Sequence, residues 1–95
     1  MTRYGTTTVA PPADVFRMAR QHFTGRSAGL RIVSQSLDAL ELRSSVGTVR
    51  IEAQRVGDET EVTILSREHD VESRAFLYAL PRASLLRRWR ARIRG

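Results

Sequence analysis

The stretch from Ala39 to Ser66 constrains the fold of this chain most, because its apolar residues, turn signals and charges agree on one local structure. Val49, Ile51 and Ala53 alternate with Thr48, Arg50, Glu52 and Gln54, the period-two pattern of a strand with one buried and one wet face. Val62 and Ile64 alternate with Glu61 and Thr63 in the same way. Between the two runs Gly57-Asp58 is a hairpin-turn dipeptide, since glycine accepts a positive φ. A turn centred there sets Ala53 opposite Val62 and Ile51 opposite Ile64 on one face, with Gln54 opposite Glu61 and Glu52 opposite Thr63 on the other. A second turn at Ser44 to Gly47 pairs Leu42 with Val49 and Leu40 with Ile51, and it places Glu41 across from Arg50. The expected structure is a three-stranded antiparallel meander, with Leu65 as the one apolar residue on its wet face.

The flanking segments supply the rest of an α+β domain. Arg3 to Val9 is rich in strand formers and stops at Ala10-Pro11-Pro12, which predicts a strand near a sheet edge. Such an edge offers backbone groups to a second copy. A helix is expected from about Pro12 to Phe23, with Val15, Phe16, Ala19, His22 and Phe23 on one apolar face and Gly25 as a left-handed C-cap. Arg26 to Gly29 reads as loop. Leu30, Ile32 and Val33 predict a short strand, and Ser34 to Asp38 a turn. Asp70 suits the N-cap of a second helix whose core face is Val71, Ala75, Phe76, Ala79 and Leu80. Pro81 ends that helix, because proline disfavours an α conformation at the residue before it.

The order is therefore strand, helix, four strands, helix, with an antiparallel sheet carrying its helices on one face. A strand ending in Ala10-Pro11-Pro12-Ala13-Asp14-Val15-Phe16, then a helix, a meander and a closing helix, resembles the TATA-binding-protein-like and helix-grip group of folds over residues 3 to 80. The resemblance implies a topology. Ligand-enclosing members of that group are longer, and this chain lacks the paired repeats and intercalating phenylalanines of a DNA-bending saddle, so their functions are not carried over.

Charge divides the chain in two. Residues 1 to 80 hold ten arginines and ten acidic residues, whereas residues 81 to 95 hold six arginines and no acid. The whole formal +6 therefore belongs to the last fifteen residues, and the pI of about 11.4 describes an appendage on a neutral domain. We read residues 1–80 as one domain and 81–95 as a basic tail. All sixteen basic residues are arginine, which fits a GC-rich genome and also arginine's bidentate chemistry with phosphate. Cysteine is absent, which removes disulfides and thiolate metal sites. No apolar run approaches the roughly 20 residues that span a bilayer, and a cytoplasmic location is expected, with peripheral membrane attachment as one variant.

The tail is the constellation richest in chemistry. At 100° per residue, Leu85, Leu86, Trp89 and Ile93 span an arc of about 100°, with Arg87, Arg88, Arg90, Arg92 and Arg94 around the rest and Arg82 inside the arc near its start. A basic amphipathic helix of this kind has four uses: an anionic membrane, nucleic acid with Trp89 stacking on a base, a groove on a partner protein, or its own domain. A second reading places a small molecule in an apolar pocket near Phe16, Phe23, Phe76 and Tyr78. Glu68-His69-Asp70 alternates in direction and converges poorly on a metal ion, so no metal or other cofactor is expected. No serine sits in a nucleophile elbow, and Gly25 to Gly29 lacks phosphate-loop spacing. The sequence therefore reads as a non-catalytic interaction module.

Overall fold

The computed structural model describes residues 1–25 and 29–81. The elements run β1 (Thr2–Thr8), α1 (Pro12–Phe23), β2 (Arg31–Gln35), β3 (Ala39–Arg43), β4 (Thr48–Val56), β5 (Glu59–Arg67) and α2 (Asp70–Ala79). All strand pairs are antiparallel, and the sheet order is β1-β5-β4-β3-β2. The meander closes in the expected register, with Ala53 opposite Val62, Ile51 opposite Ile64, Leu42 opposite Val49 and Glu41 opposite Arg50. Gly57 turns the β4–β5 hairpin at φ 65°.

One face of the sheet is the core. Leu40, Leu42, Val49, Ile51, Val62 and Ile64 are buried there and meet Val15, Phe16, Ala19 and Phe23 of α1 and Phe76 of α2. α1 lies over β4, while α2 lies over β1 and β5. The rings of Phe23 and Phe76 meet at 5.5 Å between centroids, joining the two helices. Buried threonines fix the remaining joints: Thr60 Oγ1 donates to the Ala10 carbonyl at 2.7 Å, and Thr8 Oγ1 accepts from the Ala10 amide and donates to the Pro81 carbonyl. The Val9 amide donates to the same Pro81 carbonyl at 3.3 Å. The chain leaving α2 is thus fastened to the end of β1.

Four local expectations need correction. Gly25 is not in the left-handed region. The α1 C-cap is Thr24, whose amide and hydroxyl both donate to the Arg20 carbonyl and satisfy the last turn. Asp70 is the first residue of α2 and its N-cap is His69, because Glu68 takes φ 67° and redirects the chain one residue earlier. The buried face of α2 is Ser73, Phe76 and Leu80 with Leu77 beside them, whereas Val71, Ala75 and Ala79 are exposed. Ser73 can be buried because its hydroxyl donates to the His69 carbonyl at 2.8 Å. Leu30 precedes β2, which continues through Ser34 and Gln35 past a register shift between Ile32 and Ser34.

Candidate functional site

Among the described residues the densest polar cluster lies where the β3–β4 turn meets the start of α2. The Ser44 amide donates to the Gly47 carbonyl at 2.9 Å and closes the turn. Its hydroxyl accepts from the amides of Val46 and Gly47, each at 3.2 Å, and lies 2.7 Å from His69 Nε2. On the other side of the ring, His69 Nδ1 lies 3.1 Å from Glu72 Oε2. A carboxylate only accepts, so Nδ1–H donates to Glu72, and in the neutral ring Nε2 accepts from the Ser44 hydroxyl. The turn can come this close because Gly47 has no side chain; a Cβ there would lie 1.9 Å from the Arg67 carbonyl oxygen. Glu68 completes the junction in a conformation uncommon for a residue with a side chain.

Serine, histidine and carboxylate in that sequence match the order of a nucleophilic relay. The surroundings of Ser44 work against that chemistry. Its oxygen already accepts two amide hydrogens and gives its proton to His69, so both lone pairs are engaged before any substrate arrives. His69 is 6 % exposed. What the cluster does well is to fasten the hairpin turn to α2. The same helix turn is held from α1, where His22 Nε2–H donates to the Glu72 carbonyl at 2.9 Å while its ring stands edge-on to Phe23.

The opposite face of the sheet is polar. Arg50 occupies its middle and binds Glu52 at 3.0 Å and Glu41 at 3.3 Å. The hydrogen bond to Glu52 does most to hold its guanidinium above the ordinary value, against the cost of burial, and Glu41 adds to it. Exposed pairs of this kind are worth about 0–1 kcal/mol each. They neutralise the face more than they stabilise it.

The aromatic residues suggested for a pocket separate into two groups. Phe16, Phe23 and Phe76 are buried in the core, while Tyr78 is 72 % exposed. Tyr78 lines instead a surface depression of about 230 Å³ between β1 and α2, with Tyr4, Gly5, Thr6, Arg74 and Leu77. Arg82, Arg87, Arg88, Trp89, Arg90, Arg92 and Arg94 lie outside the described residues, as does most of the 26–29 loop. Among the described residues no helix is long and apolar enough to cross a membrane. Ser44, Thr8 and Thr60 escape a reading of the sequence, since each acts on a partner from a distant element. The local signals are the spacing of His69 and Glu72, three apart at a helix start, and the place of Ser44 at the head of a turn whose amides its hydroxyl caps. Comparison with family models, with curated proteins and with solved structures found no match.

Proposed function

We propose that this chain is a non-catalytic binding module that uses its arginine-rich segment, residues 81–95, to hold a charge-neutral α+β domain against a phosphate-bearing surface. The carrying observation is the segregation of charge: six arginines and no acid after residue 80, against an even balance before it. Phosphate is the natural counterpart, because arginine's planar fork makes paired, charge-assisted hydrogen bonds to it. Two features of the domain support the reading. Leu80 is buried and the Pro81 carbonyl is bonded to Thr8 and Val9, so the basic segment starts from a fixed point on the domain. The acids of the polar sheet face are partly taken up by Arg50, which leaves that face little net charge to compete for the tail. We also read the element order as that of the TATA-binding-protein-like and helix-grip group, on topology alone.

Co-sedimentation of the full chain with anionic and neutral vesicles, and its retention on single-stranded RNA, each at two salt concentrations, tests the proposal. Binding to an anionic probe that weakens with salt is expected, together with its loss when Arg87, Arg88, Arg90, Arg92 and Arg94 become glutamine. A wild-type chain that binds neither probe at low salt, or a glutamine variant that binds as well as wild type, would overturn it. Which probe is bound separates a membrane from a nucleic acid.

A further inference from the structure

β1 is a regular edge strand with little in its sequence to protect it. It has seven residues, runs in unbroken register against β5, and its outer side faces no strand among the described residues. Natural edges are commonly protected by charge, proline or a bulge. Within Thr2–Thr8 the only such feature is Arg3. The strand borders the depression lined by Tyr4, Gly5, Thr6, Arg74, Leu77 and the exposed Tyr78, which gives the edge a shoulder on the helix side that is apolar apart from Arg74. On the polar side, Gly5 leaves a notch flanked by Arg3, Thr7 and Glu61.

We infer that a second copy of this chain pairs with β1 antiparallel about a two-fold axis through Gly5, extending two five-stranded sheets into one. Directly opposed residues share a face, and a two-fold centred on Gly5 sets Tyr4 against the partner's Thr6 and Arg3 against the partner's Thr7. Thr7 neighbours Glu61 on β5. Strands lie about 4.8 Å apart, so Arg3 and the partner's Glu61 sit about 10 Å apart at their backbones, a gap their combined side chains span. The two-fold repeats this pair, giving two opposite-charge contacts per dimer. A two-fold at Tyr4 would instead set Arg3 against the partner's Gly5, whose β5 neighbour is the uncharged Thr63. Charge therefore favours the register centred on Gly5 over the one centred on Tyr4, and it makes this edge complementary to a copy of itself. The helix-side depressions then adjoin across the axis, so Tyr78 and Leu77 of each copy help cover the other.

The full chain at rising concentration in sedimentation equilibrium tests the pairing. A mass of twice 10.7 kDa is expected. Arg3→Glu should weaken the dimer roughly tenfold or more, because two attractive cross-strand pairs become repulsive, and Glu61→Arg in the same chain should restore it. The register has its own test. Gly5 accepts a side chain, its nearest non-neighbouring atom being the Val62 carbonyl oxygen at 3.7 Å from a built Cβ, and the chain has no cysteine of its own. Opposed Cα atoms at about 4.5–5.5 Å fall within disulfide range, so Gly5→Cys should oxidise to a covalent dimer while Ser34→Cys on β2 stays monomeric. A wild-type chain that remains monomeric, with β1 open or covered by its own residues 82–95, overturns the inference. A dimer that cross-links through Ser34→Cys and not Gly5→Cys does so equally.

Discussion

β1 and β2 are both edge strands, yet β1 runs seven residues in regular register beneath α2, whereas β2 runs five, shifts register between Ile32 and Ser34, and is exposed at every position. Both lie on the same sheet, so the contrast comes from local sequence and from what covers each strand. β2 is short and kinked, two devices that spoil an edge as a template even though Ile32 and Val33 are apolar. β1 carries neither. It is also better secured: Thr8 and Val9 hold its end to Pro81, and Thr60 holds the turn that follows. An edge can thus be apolar and closed to association, or polar and open to it, and the regularity of the backbone decides which.

The largest expected effect removes the support of the β1 side. Gly47→Ala drives a Cβ into the Arg67 carbonyl and spreads the junction that starts α2, the helix over β1. Because backbone must move, a loss at the upper end of about 1–3 kcal/mol or beyond is expected from denaturant midpoints. Amide exchange should accelerate in α2 and β1 before it does in β2, and uniform acceleration would erase the contrast. Thr8→Val should cost about 1–3 kcal/mol, since the buried Ala10 amide loses an acceptor and the Pro81 carbonyl a donor. A change below about 0.5 kcal/mol would mean that the fastening of β1 is nominal. On the other edge, Val33→Lys should stay within about 0.5 kcal/mol, as Val33 sits at the irregular position of an exposed strand. A larger loss would show that β2 is also protected by contact.

The meander was legible because its signals are local and redundant. Each hairpin states its register twice, once in the turn and once in the alternation, and the two statements agree from Leu40 to Ile64. α1 was legible for the same reason, with Pro11 and Pro12 opening a clear apolar face. α2 shows where such reading stops. Phe76 and Leu80 of the expected face are buried, but Val71, Ala75 and Ala79 are not: the helix turns so that Phe76, Leu77 and Leu80 reach the core, and Ser73 can follow them in because its hydroxyl bonds a carbonyl of its own helix. A buried hydroxyl is indistinguishable in sequence from an exposed one. The Ser44–His69–Glu72 cluster was hidden for a related reason: Ser44 and His69 are 25 residues apart, and their meeting depends on a glycine whose importance lies in a contact with β5.

The attachment of β1 also sets an order of events. Its ladder is with β5, and the bond from Thr8 to Pro81 closes a loop of 73 residues, whereas each hairpin of the meander closes through a short turn. Local closures come quickly and distant ones wait on the entropy of the intervening chain, so β1 is expected to dock last. Until it does, β5 is itself an unpaired edge, bearing Val62 and Ile64. A β1 strand from another chain makes the same ladder there as the chain's own. Exchange of that strand and pairing of two finished edges yield the same mass, but they differ in tempo: exchange requires unfolding and slows with stability, while edge pairing equilibrates at the pace of an encounter.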